Sequence, residues 1–357
     1  MKLFFDARYT RIDIHDGISR YSVELGNALA SLPIDMTFLI SDDRQKKWYP
    51  RHANFLRIHT VTSIKEPFTA FILNKYAPDI VYSPMQTIGT IGRRYISILT
   101  IHDMIYYRHP YAPKSLPFLV RVGWWLYHQW YWPERLLLRG GDIITTVSHT
   151  SAKEIRQARL TNKPLHIIHN APQTFPRHQI DYHTPVEHLI YMGSFMPYKN
   201  VETLVKGMQW LPGRTLHLLS SITSDRRLEL EKIAPKNRSI MFHNGVSDKE
   251  YQELLALNAA LVSASFDEGF GIPIAEAMAI GTPVVISDIP VFHEVAGKGA
   301  LYFKAASPQA FARQVRKLDS PVVRKRLTNV ALRHVSQFQW PTSARTLLDV
   351  ITSYKRP

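Results

Sequence analysis

Short apolar runs alternate with longer amphipathic stretches along almost the whole chain, and the alternation stops once and then restarts. Leu3–Phe5, Met36–Ile40, Ile80–Tyr82, Ile96–Ile101, Ile143–Val147 and Leu165–Ile168 are apolar without a polar alternate. Runs of that kind suit strands covered on both faces, and parallel strands need a long crossover between them. Helical patterns supply it: Ser19–Ser31 places Val23, Leu25 and Leu29 on one side, and Ser151–Leu160 reads as a second helix. The pattern breaks at Asn170–Pro185, a polar stretch with three prolines, where a linker is expected. It resumes with strands at His188–Met192, Thr215–Ser220, Ser239–Phe242, Ala260–Ala264 and Pro283–Ile286. Between them lie helices at Val201–Gln209, Asp225–Ile233, Asp248–Leu257 and Pro273–Ile280. Two successive α/β sheets follow, divided at 175/176, with no short solenoid-type repeat.

A length of 357 residues suits two domains, and 45% hydrophobic against 20% charged residues suits a soluble globular chain. The absence of cysteine excludes disulfides, Cys-ligated zinc, iron–sulfur clusters and thiolate catalysis. Asp6 follows only a short apolar start, and no window approaches the roughly 20 apolar residues of a membrane span. A cytoplasmic protein is therefore expected. Of the net charge of +15, residues 1–178 carry +10 (23 Lys and Arg against 13 Asp and Glu), which points to an anionic partner.

Met104–Arg139 holds Trp124, Trp125, Trp130 and Trp132 with Arg121, Arg135 and Arg139 interleaved. Two readings are open: a helix pair packing its aromatics into the first domain, or a surface resting in a lipid headgroup layer. Aromatic stripes are usually core, so packing is the expectation.

The stretch most informative about chemistry is Ser265-Phe266-Asp267-Glu268-Gly269-Phe270-Gly271-Ile272-Pro273-Ile274-Ala275-Glu276, running on to Gly281-Thr282-Pro283. Pro273 suits a first helical position and Gly281 a C-terminal cap. The helix start offers unpaired amides and a positive dipole end to an anion. Gly269 and Gly271 let backbone approach a ligand without a Cβ between. Glu276 is expected in the first turn, where a carboxylate accepts well from a ribose diol, and Glu268 precedes the turn. Both acids could instead be ordinary helix-start carboxylates. Together the groups suit a nucleoside diphosphate carrying a polyol.

This stretch resembles the E-x7-E region of retaining glycosyltransferases of family 4, with Glu268 and Glu276 at the acidic positions. Other landmarks follow in the order such enzymes show: Asp16-Gly17-Ile18-Ser19-Arg20-Tyr21, His102-Asp103, Thr146-Val147-Ser148, Tyr191-Met192-Gly193, Lys199-Asn200, Asn244-Gly245-Val246-Ser247 and Phe338-Gln339-Trp340. The resemblance covers nearly the whole chain. It implies a GT-B architecture, two Rossmann-like domains facing across a cleft. The first (1–175) would bind the acceptor, with a C-terminal helix (341–357) returning to it, and the second (176–340) would bind the nucleotide sugar.

The resemblance also implies roles. Glu268 would contact the donor hexose, with Gly269, Phe270 and Gly271 offering amides to sugar and phosphate. Glu276 would hold the ribose, Lys199 the diphosphate, and Val246 the base. Gly17 and Gly193 would let their loops approach the donor, and His102 would lie beside the donor sugar. With Glu268, His102 and Lys199 as the reacting-centre residues, no protein general base is named, since a phosphate oxygen takes the acceptor proton in such retaining enzymes. Two departures stand out. Ser194-Phe195 follow Gly193 where relatives often place an arginine, for which Arg20 is the candidate substitute, and Ala264 stands where a proline is common.

No Asp-x-Asp, H-E-x-x-H, G-x-x-x-x-G-K-[ST] or G-x-S-x-G motif occurs. No metal and no cofactor is expected beyond the sugar-nucleotide substrate. The expectation is a retaining, metal-independent hexosyltransferase, leaning to mannose from GDP-mannose, acting on a hydroxyl of a glycan or lipid-linked acceptor. A peripheral contact with an anionic membrane is expected, and nucleic acid is not. The rival readings are a basic nucleic-acid-binding protein on a nucleotide fold, and a GT-B-shaped nucleotide-sugar epimerase.

Overall fold

A computed structural model describes residues 1–13, 15–112, 116–175, 181–236 and 239–354. The chain forms two compact units, one from Met1–Asn170 with the segment from Phe338 onward, the other from Ala171–Gln337. The expected boundary at 175/176 falls at the edge of residues 176–180, outside the described residues.

The first unit is built on a parallel sheet of β1 (Lys2–Asp6), β2 (Asp35–Ile40), β3 (Asn54–Arg57), β4 (Ile80–Ser83), β5 (Ile96–Thr100), β6 (Ile143–Thr146) and β7 (Leu165–Ile167). The order is β3-β2-β1-β4-β5-β6-β7, so the chain reverses its direction of travel between β1 and β4. Leu3, Phe4 and Phe5 are all buried, as the apolar run requires of a strand covered on both faces. Phe4, Val81, Leu99 and Ile144 join one core cluster with Ile155. On the other face Phe5 meets Phe38 and Tyr82 at ring distances of 5.7 and 5.3 Å. The helix Trp340–Ser353 packs there against the helix Gly17–Ala30, with the Trp340 and Tyr21 rings 5.9 Å apart.

The second unit holds β8 (His188–Tyr191), β9 (Thr215–Leu218), β10 (Ile240–Phe242), β11 (Ala259–Ser263), β12 (Val284–Ser287) and β13 (Ala300–Phe303). Its order, β10-β9-β8-β11-β12-β13, is again wholly parallel and reverses between β8 and β11. Leu189, Tyr191, Leu216, Val262 and Val285 form its core with Leu204, Val205 and Phe311 from the crossover helices. Open parallel sheets bind ligands beyond the carboxyl ends of their strands at such reversals. The fold therefore points to the loops after β1 and β4 in one unit, and after β8 and β11 in the other.

The aromatic segment departs from expectation. The helix Phe118–Tyr127 buries none of its residues. Phe118 is 72% exposed, Trp125 46% and Trp132 62%, so the expectation that the aromatics pack into the core is corrected. Only the side carrying Trp124, Tyr127 and His128 turns inward, onto Tyr106 and Tyr107.

Candidate donor site

The loops leaving β8 and β11 are tied together by backbone: the Phe266 amide donates to the Tyr198 carbonyl at 2.8 Å. Asn200 reinforces the tie. It sits in the left-handed region (φ 50°), and its buried amide donates to the Ala264 and Ala305 carbonyls at 3.0 and 2.7 Å. This fixes Lys199 beside Glu268, with Nζ 2.6 Å from Oε1 and both side chains mostly buried. Ser265 donates to the same Oε1 at 2.8 Å. The Ser265 carbonyl is held in turn by Ser287 Oγ at 2.6 Å. Two of the residues read from the sequence thus meet at the reversal of the second sheet, each the other's counter-ion.

Gly271 precedes the helix Ile272–Ile280 at φ 96°, a conformation that favours glycine. A Cβ there would stand 3.1 Å from both Ile274 and Phe292. Pro273 occupies the second helical position rather than the first. The helix mouth is narrower than expected. Pro273 has no N–H, and the Ile274 and Ala275 amides donate back to the Gly271 carbonyl. Ile272 is the first-turn amide left without an intrahelical acceptor.

Glu276 is corrected in position: it is the fifth helical residue, and the first turn holds no acid. It is 3% exposed, and Gln173 donates to it at 3.2 Å. The two carboxylates therefore have different neighbours, a cation for Glu268 and an amide for Glu276. Phe270 is buried and Gly269 links it to Glu268.

Gly193 donates its amide to Ser220 Oγ at 3.1 Å, and a Cβ there would meet the Tyr191 hydroxyl at 3.0 Å. Val246 is half-buried in the loop after β10, held between Gly245, whose amide donates to the Leu219 carbonyl, and the capping box of Ser247 and Glu250. Near the missing arginine, Arg226 donates to the Phe195 carbonyl at 3.2 Å, but Glu202 and Glu229 already neutralise it. Arg226, Ser265, Asn200 and Gln173 went unassigned in the sequence. Ser265 to Glu268 and Arg226 to Glu229 are local contacts, but Arg226 to Glu202, Gln173 to Glu276 and Asn200 to Ala305 join residues 24 to 105 positions apart, which no local pattern marks.

In the first unit, Asp16 caps the helix Gly17–Ala30 by accepting from the Ser19 amide. Gly17 is exposed, and a Cβ on it would meet nothing within 4 Å. His102 follows β5, with Nε2 2.8 Å from the Pro84 carbonyl and its ring 4.9 Å from Tyr21. A carbonyl only accepts, so Nε2 carries the proton and Nδ1 keeps a lone pair. Burial lowers the pKa of His102, which favours this neutral form. Arg20 lies in the same helix as Gly17.

Residues 15–172 match the family model described as Glycosyltransferase Family 4, and residues 177–330 the one described as Glycosyl transferases group 1. The chain is 33% identical over 152 residues to the O-antigen chain mannosyltransferase RfbU of Salmonella typhimurium, covering 41% of this chain and 43% of that protein. It is 29% identical over 174 residues to the O-antigen chain mannosyltransferase B of Escherichia coli, covering 46% and 45%. The chain thus spans less than half the length of these curated relatives. Among solved structures it is similar to sucrose-phosphate synthase from Thermosynechococcus elongatus, at TM-score 0.74, 17% identity and coverage of 99% and 98%. It is likewise similar to HepE from Anabaena in complex with UDP and glucose, at TM-score 0.75, 17% identity and coverage of 99% and 100%.

Proposed function

The chain belongs to glycosyltransferase family 4, with two Rossmann-like α/β domains of the GT-B type, and on that premise we propose that it transfers a hexose from a nucleoside diphosphate sugar to an acceptor hydroxyl with retention at the anomeric carbon. The observation that carries the proposal is the Lys199–Glu268 pair at the reversal of the second sheet, one residue group suited to each sign of charge that the reaction develops.

As the glycosidic bond breaks, negative charge grows on the departing diphosphate and positive charge on the sugar ring. Lys199 and the Ile272 amide are donors already in place for the first. Glu268, held by Ser265, accepts from sugar hydroxyls and offsets the second. Glu276 accepts from the ribose diol, and the Val246 loop lines the base. In the first domain, the neutral His102 ring with its free Nδ1 is an acceptor suited to a sugar hydroxyl, and Gly17 opens a helix N-terminus to phosphate. The diphosphate's charge is met by Lys199 and amide dipoles in this reading, with no metal ion required.

Mannose from GDP-mannose is the donor we favour, since both curated relatives above carry mannosyltransferase names. The acceptor is a glycan or a lipid-linked glycan, and the reaction is placed in the cytoplasm. Thermal unfolding with UDP, GDP and ADP and their common sugars, with and without EDTA, tests the reading. A ligand at a hundred times its Kd adds about 2.7 kcal/mol. Stabilisation by GDP and GDP-mannose that persists in EDTA and is lost in Glu276→Ala is expected. A shift with UDP alone would reassign the donor, and loss in EDTA would overturn metal independence. Salt-sensitive binding of nucleic acid without any nucleotide response would return the chain to the binding-protein alternative.

A further inference from the structure

The hairpin of helices Phe118–Tyr127 and Trp132–Leu138 has two unlike sides. Its inner side is fastened: the Tyr107 and Tyr127 hydroxyls both donate to the buried Glu134 carboxylate, at 3.2 and 3.1 Å. The Tyr106 and Trp124 rings meet edge to face at 4.8 Å. Its outer side presents Phe118, Leu119, Val122, Trp125, Trp130 and Trp132 to solvent, Leu119 at 80% exposure. On the longer helix, 118, 122 and 125 recur at helical spacing, so the outward apolar residues form a stripe rather than scattered positions. A contiguous apolar face on a soluble domain marks an interaction surface.

The same hairpin borders a basic pocket. Arg135 and Arg139 line it from the second helix, and Arg159 and Lys163 line it from the loop that leads into β7. Arg135 is held in place by the Ala158 and Arg159 carbonyls, at 2.9 and 3.0 Å. This pocket lies toward the amino ends of β6 and β7, the opposite end of the sheet from the ligand-binding loops after β1 and β4.

We infer that this hairpin docks the protein on an anionic lipid bilayer, its Trp, Phe and Leu side chains entering the interface while the four-cation pocket takes a phosphodiester headgroup. Charge selects the occupant. A second copy would bring the same net +15 and the same basic pocket to the face, whereas an anionic bilayer complements both. Trp beside Arg is also the composition that settles at the boundary of headgroups and acyl chains.

Flotation of the full chain with vesicles of phosphatidylcholine, alone or mixed with phosphatidylglycerol, tests the inference. Binding to the mixed vesicles at moderate salt, with a blue shift of tryptophan emission and release at high salt, is expected. Each basic residue near such a surface contributes about fivefold to partitioning, so Arg139→Ala with Lys163→Ala lowers it about 30-fold. Leu119→Asp abolishes it without altering the circular dichroism spectrum, because the residue is solvent-exposed. If that variant does misfold, the charge-deleted pair alone decides. Failure to float, equal binding to neutral vesicles, or unaltered binding by the charge-deleted pair would overturn the inference. So would a wild-type dimer in light scattering that Leu119→Asp converts to monomer, which makes the face an interface between copies. None of these readouts depends on nucleotide binding, so the transferase proposal stands or falls separately.

Discussion

Lys199 Nζ and Glu268 Oε1 lie 2.6 Å apart although 69 residues separate them, because their loops leave two adjacent parallel strands and share a backbone hydrogen bond. Both side chains are largely withdrawn from water, so removing either leaves the other's charge poorly compensated. Glu268→Gln is expected to cost about 3 kcal/mol of stability, and Lys199→Ala a similar amount. Combining them should cost less than the sum, with a coupling of at least about 1 kcal/mol in a double-mutant cycle by denaturant unfolding. Kinetically the two separate: Lys199→Ala weakens nucleotide binding, while Glu268→Gln lowers kcat more than it raises KM. Strict additivity of the stabilities would show that the pair carries no coupling energy.

Glu276 is buried and accepts from Gln173, which fits a carboxylate that binds rather than one that turns over. Glu276→Ala should weaken nucleotide-sugar binding by about 1.5–3 kcal/mol, roughly tenfold to a hundredfold, with kcat at saturation much less affected. Gln173→Ala removes one orienting hydrogen bond and should lie between that variant and wild type. Calorimetric titration of nucleotide into the three proteins checks the ranking. Unchanged affinity in Glu276→Ala would remove it from the donor site.

Two glycines that look equivalent in the sequence should answer oppositely to alanine. At Gly271 the backbone is left-handed and a Cβ meets Ile274 and Phe292, so Gly271→Ala is expected to lose about 1–3 kcal/mol and several degrees of Tm. At Gly17 a Cβ meets nothing, so Gly17→Ala should leave stability within about 0.5 kcal/mol of wild type. If Gly17 opens its helix end to the diphosphate, that same variant lowers donor affinity while Tm holds. A matched pair of melting curves and binding isotherms separates fold from function at the two positions.

The double sheet was legible because its central strands are covered on both faces and therefore spell continuous apolar runs, as Ile98–Leu99 and Val284–Ile286 do. The two strands that escaped, β3 and β13, are sheet edges: Asn54 and Arg57 of β3 are exposed, and Leu301 and Tyr302 of β13 are only half-buried. Asn54 and Arg57 leave only two apolar residues in β3, so its run is broken, whereas β13 is an unbroken apolar run, Ala300–Phe303, that the strand pattern passed over. The candidate acids and glycines were legible as a local string, but their partners were not. Lys199 against Glu268 is set by the adjacency of β8 and β11, and Gln173 against Glu276 by the path of the irregular stretch that leaves β7, neither of which local spacing encodes. The aromatic hairpin misled for a different reason: composition counts rings without saying which side of a helix they leave uncovered, and Leu119 and Trp125 face water.

His188, His217 and His243 form a chain across the neighbouring elements β8, β9 and the end of β10, with successive ring nitrogens 3.0 Å apart in both links. A neutral His217 donates through one nitrogen and accepts through the other, whereas a protonated His217 donates through both, so burial and the neighbouring imidazoles, rather than a lost hydrogen bond, oppose its charge. Burial, then the charges of His188 and His243, push the His217 pKa down to about 4, and burial lowers His243 as well despite Glu250. In the unfolded chain His217 protonates near pH 6.5, but in the folded chain only near 4. Between those values the unfolded state binds the extra proton, so stability is full above about pH 6.5 and falls as the pH drops toward 4. Partial solvent screening by the half-buried neighbours trims the loss to on the order of 2 kcal/mol. His217→Gln keeps a donor and an acceptor without a titrating group, so its stability should decline less over the same interval. Urea unfolding at pH 7, 6, 5 and 4 gives the comparison, and parallel curves for variant and wild type would mean the chain's protonation does not limit acid stability.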